Sequence, residues 1–354
     1  MRSTLFIVLI FNCLFVFPQI AEHKNFPPGQ SSFDIPVLAY HRFGDNRYRS
    51  TNTSLEVFEQ HLRYLKENQY TVLTFGEAME RWKNNTAFPA KTVIITIDDG
   101  YSSFYENGWP LLKKYGFAAT IFIQTDLVGH KDFISWAQFA ELQKAGIEIQ
   151  NHSDLHDFFV NYSDAERVTK FRDDLIKSTA LIEKNLGKKP EYYVYPYGEW
   201  TKDMVQVLKE NGYSAALVQN SGLFCETSDP FEIPRFPLGG YFGTFEELKR
   251  KIGLKALRIV KTIPDSPFLS ENPPEIRVEV MPGKINLKKA QFFVAGTKCE
   301  NIKIIDDPIN PAVILKASGK LTARRTLYTI TAPSIDGKTW HWYSYQWIRP
   351  EVGE

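Results

Sequence analysis

The chain has 354 residues, with 42 Lys+Arg against 41 Asp+Glu and a net charge of +1. That balance excludes a nucleic-acid binder resting on bulk positive charge, and it excludes an acidic solvating tail. Apolar residues at 43% suffice for a packed core, and three cysteines exclude a disulfide scaffold and a cysteine-based zinc module.

Arg2 precedes an apolar run from Leu5 to Phe17. The run is shorter than the ~20 residues that span a bilayer. A basic start and a short apolar run read as an export signal over residues 1–21, with an uncleaved anchor as the alternative. The expected location is therefore outside the cytoplasm: extracellular, periplasmic or at the cell envelope. No membrane-spanning segment is expected in the mature chain. Export would leave Cys225 and Cys299 either paired or free.

From Ile35 short apolar runs alternate with amphipathic segments. Strands are expected at Ile35–Tyr40, Thr71–Phe75, Thr92–Ile97, Ala118–Gln124, Ile147–Gln150, Tyr192–Tyr195 and Ala215–Val218. Helices are expected at Leu55–Lys66, Phe75–Lys83, Trp109–Tyr115, Trp136–Lys144, Ala165–Leu186, Met204–Glu210 and Phe245–Ile252. Strand–helix alternation of this kind implies parallel pairing, in an α/β layer or a barrel of roughly seven strands. After Lys261 the helical period stops. Residues 258–274 read as a linker rich in proline and polar residues, and residues 275–354 as a small all-β sandwich-like domain. Its last strand, Trp340–Ile348, is rich in aromatics and reads as core packing, with sugar binding as the alternative.

Four motifs end expected parallel strands, whose C-terminal ends share one face. The first is Thr96-Ile97-Asp98-Asp99-Gly100-Tyr101, in which adjacent carboxylates follow a buried run and Gly100 permits a turn that brings both to one mouth. Burying carboxylates there is costly without a purpose. The Asp173-Asp174 and Asp306-Asp307 pairs read instead as solvated. The second is His152-Ser153-Asp154-Leu155-His156, whose two imidazoles, four apart, can share one side of a helical turn and bind one metal. The third is Tyr195-Pro196-Tyr197-Gly198, a tight turn able to present N–H groups to an oxyanion. The fourth is Val37-Leu38-Ala39-Tyr40-His41, with His41 a candidate general acid.

Over about Phe33 to Gly253 these motifs resemble the polysaccharide deacetylase family, the NodB-homology enzymes of carbohydrate esterase family 4. The resemblance implies a distorted (β/α)7 barrel, followed here by the β domain, with residues 33–257 as the deacetylase domain. It makes Asp98 the catalytic base and Asp99, His152 and His156 the ligands of one divalent ion, zinc. It makes Tyr197 the source of an oxyanion-hole N–H. Two departures stand out. Val194 occupies the place of the family's Arg that braces the base, and no apolar-then-His motif follows Gly198. In both respects the chain is similar to the subgroup acting on poly-N-acetylglucosamine exopolysaccharides. There the motif order is permuted and an N-terminal Tyr-His supplies the acid, a role matched by His41. Trp136 resembles that subgroup's pocket Trp, and Arg235 is the candidate for the missing brace. The implied reaction is metal-assisted removal of N-acetyl groups from an N-acetylglucosamine-containing polysaccharide. The rivals are a carbohydrate-binding protein on the same fold and an O-acetyl esterase. The polymer and the oligomeric state are not legible.

Overall fold

The computed structural model describes residues 32–353; the expected export segment and Cys13 lie outside them. Seven staves form the first half of the chain's architecture: β1 Asp34–Tyr40, β2 Thr92–Asp99, β3 Thr120–Ile123, β4 Glu148–Asn151, β5 Tyr192–Val194, β6 Ala215–Leu217 and β7 Phe236–Pro237. Parallel pairing runs β1–β2–β3–β4–β5–β6 in chain order. The gap between β6 and β1 is bridged by residues 230–238. On one side this segment pairs with β6, through Ile233 N–H to Ala216 O at 3.0 Å and Val218 N–H to Ile233 O at 3.0 Å. On the other side β7 lies parallel to β1, and Leu238 N–H donates to Ala39 O at 2.8 Å. The ring is thus completed by an irregular stave whose short, proline-interrupted sequence gives no strand period, which is why it escapes a reading by periodicity.

Alternation along each stave sorts the side chains. Val37, Ile94, Phe122, Val194, Leu217 and Ile233, one from each of six staves, pack together in one cluster inside the ring. Phe75, Ala78 and Met79 of the helix Phe75–Lys83 join them. Phe75 N–H bonds Thr120 Oγ1 and Gly76 N–H bonds Glu148 Oε2, so this helix plugs the end where β3 and β4 begin. The alternate residues Val93, Ile95, Ile97, Ile121 and Ile123 face outward onto the helices Leu55–Glu67, Trp109–Tyr115, Trp136–Lys144 and Phe245–Ile252. With the plug at one end, all four motifs gather at the other, the strands' C-terminal end.

The C-terminal part has two sheets. One pairs Lys255–Ala256, Trp340–Ile348, Arg325–Pro333, Gln291–Val294 and Thr297–Cys299; the other pairs Ile259–Ile263, Glu275–Val280, Ala312–Lys316 and Ile302–Ile305. Residues 259–263, expected in a linker, are therefore a strand of the second sheet. Tyr343, Tyr345 and Trp347 join the core of this part, whereas Trp342 packs on the barrel's outer cluster and donates from Nε1 to Ser221 O at 3.0 Å. The aromatic strand is thus shared between core and barrel contact. Cys225 and Cys299 are both buried free thiols. Among the described residues no helix is long and apolar enough to cross a membrane.

Trp347 is 1% exposed and packs edge-on to Tyr328, whereas Trp340 is 39% exposed. Trp347→Ala should cost about 3–5 kcal/mol and Trp340→Ala less than about 0.5 kcal/mol, read by urea denaturation of the full chain. Equal effects of the two would mean that the strand's faces are misassigned.

Candidate active site

Asp98 is the last inward-facing residue of β2, on the same side as Ile94 and Thr96. It is fully buried. Its Oδ1 accepts from Arg235 Nη1 at 2.7 Å, and Arg235, on the closing segment, is 1% exposed. Arg235 also donates from Nε to Val218 O at 3.3 Å. Val194 places an apolar side chain where the family's Arg would stand, and Arg235 arrives instead from the closing segment, which is separated from β2 by β1. Burial acts to raise the Asp98 pKa; the Arg235 guanidinium, then His152 and His41, outweigh it and hold the carboxyl below its ordinary value. The other carboxylate oxygen, Oδ2, is 3.8 Å from His41 Nε2 and has no hydrogen-bond partner among the described residues.

The chain turns at Asp99 itself. Its φ is +73°, followed by +85° at Gly100, so consecutive carboxylates converge on one mouth instead of pointing to opposite faces. Asp99 Oδ1 lies 3.3 Å from His152 Nε2 and 3.7 Å from His156 Nε2, and the two imidazole nitrogens are 3.1 Å apart. These three donors form a cluster able to hold a metal ion. Ligand atoms around a tetrahedral ion bonded at ~2.1 Å stand roughly 3.4 Å apart, so the spacing fits. The protons fit as well: His152 Nδ1–H donates to Val194 O at 2.8 Å, which leaves Nε2 with its lone pair toward the cluster. Burial lowers the pKa of both imidazoles. At His152 the bond to Asp99 and the charge of Asp98 reverse the shift and raise it, whereas His156 is pulled down to about 4, by burial and then by His152.

The two histidines do not share a helical turn, contrary to the expectation from their spacing. Residues 152–158 are irregular, with Ser153 at φ +77° and His156 at φ +55°. The loop is folded by Asp174, from the helix Asp164–Leu186. One Asp174 oxygen accepts from Ser153 Oγ at 2.8 Å and Asp154 N–H at 3.0 Å; the other accepts from Leu155 N–H at 2.8 Å. Ser153 Oγ in turn accepts from His156 N–H at 3.0 Å. Asp174, read from sequence as solvated, is 6% exposed. The signal was present: Phe171, Leu175, Ser178 and Ile182 are the helix's buried stripe, and position 174 falls on it. Burial raises the Asp174 pKa, against the backbone donors that lower it.

Tyr197 has φ +59° and ψ +4°. Its ring lies flat on Phe158, centroids 3.8 Å apart, and meets the His156 ring at 4.5 Å. Gly198, φ +68°, admits no side chain, since a Cβ would stand 2.6 Å from Gln219 N. Trp136 opens the helix Trp136–Lys144 and packs on Phe139 at 6.1 Å. It packs against the cluster outside the ring, and the loop before it bonds the acidic motif through Ile134 N–H to Gly100 O at 2.9 Å. Sequence reasoning missed Asp174, Glu199, Arg324 and Arg325. The last three join the Tyr197 turn to the β domain, and contacts between distant segments leave no local pattern.

Asp174→Ala would strip the acceptor from two N–H groups and one hydroxyl. We expect metal affinity to fall about 10–100-fold, measured by competition with a chromophoric chelator. Unchanged affinity would show that the loop folds without Asp174.

The family model described as polysaccharide deacetylase matches residues 85–216. A poly-beta-1,6-N-acetyl-D-glucosamine N-deacetylase of Staphylococcus aureus (strain N315) is 32% identical over 198 residues, 53% of this chain and 68% of that protein. Among solved structures, IcaB from Ammonifex degensii superposes with a TM-score of 0.52 at 27% identity, covering 57% of this chain and 90% of that one. Streptococcus pyogenes deacetylase PplD, in complex with acetate, gives a TM-score of 0.58 at 22% identity over 63% of this chain and 99% of that one, a likeness of fold. The staves, the acidic pair at the end of β2 and these matches converge: the chain belongs to the polysaccharide deacetylase family.

Proposed function

We propose that the protein removes N-acetyl groups from an N-acetylglucosamine-containing polysaccharide, releasing acetate, in a compartment reached by export through residues 1–21. The observation that carries this reading is the flanking of one buried, guanidinium-held carboxylate, Asp98, by an Asp–His–His cluster on one side and His41 on the other. The substrate class follows from the Staphylococcus aureus relative, and the apolar run Leu5–Phe17 supports export.

Asp99, His152 and His156 would hold a single divalent ion, zinc by the nitrogen-rich donor set. When bound, that ion supplies Lewis-acid polarisation of the acetyl carbonyl and lowers the pKa of water. Asp98, kept anionic by Arg235, takes the proton of the attacking water. The Tyr197 N–H stabilises the charge that develops on the carbonyl oxygen. His41 gives its proton to the sugar nitrogen, which then leaves as an amine. Water is consumed, the C–N bond breaks, and acetate and a glucosamine unit result. Asp98 must be unprotonated and His41 protonated, so activity rises and then falls with pH. Because the Asp98 pKa is held below its ordinary value, near 3.9 in an unperturbed peptide, the acid arm lies below that point unless metal is lost first.

The test is acetate release from N-acetylglucosamine oligomers and from poly-N-acetylglucosamine, with metal and with chelator, beside O-acetylated analogues. We expect metal-dependent release from the N-acetyl substrates, a drop of at least ~100-fold in Asp98→Asn, and loss of the alkaline arm in His41→Asn. Release confined to O-acetyl esters would replace the amide by an ester as the substrate. A chain holding one metal but inert on both would overturn the proposal.

A further inference from the structure

The residue after the Pro196-Tyr197-Gly198 turn is Glu199, a carboxylate only 3% exposed. Its partner comes from the other end of the sequence. Arg324 donates from Nε to Glu199 Oε1 and from Nη2 to Glu199 Oε2, both at 2.7 Å, a two-pronged pair. The remaining donors are also used: Nη2 reaches Asn161 Oδ1 at 2.8 Å, and Nη1 reaches Pro350 O at 3.0 Å and Val352 O at 2.9 Å. A guanidinium has five N–H donors, and these five bonds occupy them. Arg325 adds Nη1 to Glu199 Oε1 at 3.0 Å, and Gln346 Nε2 donates to Gly198 O at 3.4 Å.

The same guanidinium touches the metal-cluster loop. Arg324 Cζ stands 4.3 Å above the Phe158 ring, Phe158 lies flat on Tyr197, and Tyr197 meets His156. One side chain of the β domain therefore holds both the turn that carries Tyr197 and the loop that carries His156. Among the described residues, both cations that pair with Glu199, Arg324 and Arg325, come from the β domain.

We propose that Arg324 and Glu199 are positioning residues for deacetylation, and that the β domain completes the active site by fixing the backbone of the Tyr197 turn. The inference rests on the function proposed above, since it is that reading which gives the Tyr197 N–H its task.

The test uses the full chain and the variants Arg324→Met, Glu199→Gln and Arg324→Lys. Three quantities are read: bound metal per chain, kcat and KM on N-acetylglucosamine oligomers, and amide hydrogen exchange of the peptide spanning 195–201. A displaced catalytic group can cost about 100-fold. We expect kcat to fall by about that factor in Arg324→Met and Glu199→Gln at saturating metal, with KM little changed and faster exchange in 195–201. Arg324→Lys should recover part of the loss, because lysine restores the charge without the fork. Glu199→Gln keeps the shape of the side chain, and so decides the matter if Arg324→Met does not fold. Wild-type kcat and exchange in a folded Arg324→Met or Glu199→Gln variant would overturn the proposal. So would a fall in kcat that merely tracks lost metal. If the parent chain itself releases no acetate, the function fails, and the exchange measurement alone judges the clamp.

Discussion

A carboxylate sealed inside a protein keeps its charge when a cation is sealed in with it. Asp98 and Arg235 are such a pair, and much of the architecture serves to make them meet. Strand alternation turns residue 98 inward. A helix plugs the opposite end of the ring, and residue 98 sits at the C-terminal mouth. The closing segment, on the other edge of β1, then delivers the guanidinium. Removing one partner of a buried pair costs about 3–5 kcal/mol, so fold and site are coupled through this contact in both directions.

Around it the backbone is held in an unfavoured region. Asp99, Ser153, His156 and Tyr197 all have positive φ without being glycine. Each such residue costs on the order of 1–2 kcal/mol, and the cost is offset locally. Ser153 N–H is fixed by Asn151 Oδ1 at 2.8 Å, the 153–156 loop by Asp174, and His152 by Val194 O. Concentrated strain of this kind marks a site whose geometry is specified by its surroundings.

Regular segments of the fold were legible because hydrophobic period and glycine stops are local signals. Phe75–Lys83, Trp109–Tyr115, Trp136–Lys144 and Trp340–Ile348 have the bounds their patterns suggest. The Asp98–Asp99 and His152–His156 motifs were legible because each is a short run at a strand end. Where reading failed, the cause was non-local or irregular. The helical turn expected for the histidines is a loop, in which the N–H groups of Asp154 and Leu155 donate to Asp174 from a distant helix. Asp174 itself was discounted on its polar neighbours, although its phase put it on the buried stripe. Arg235 could be nominated from family likeness, but only the ring's closure brings it to Asp98. The Arg324–Glu199 pair spans 125 positions, and nothing in either neighbourhood announces it.

The irregular closing stave also sets an order of events. Leu38 pairs with Phe236, and Ala39 O accepts from Leu238 N–H, contacts separated by nearly two hundred residues. Such distant pairings pay their loop-closure entropy before any contact rewards it, so they form slowly. A nascent chain emerging from its N-terminus presents both carboxylates and both imidazoles long before the residue that holds Asp98 has left the ribosome. The segment that seals the ring therefore follows the groups it holds, and Arg324, on which the Tyr197 turn rests, follows later still. Until both have arrived, Asp98 and Glu199 lack the guanidinium partners that hold them in the finished fold.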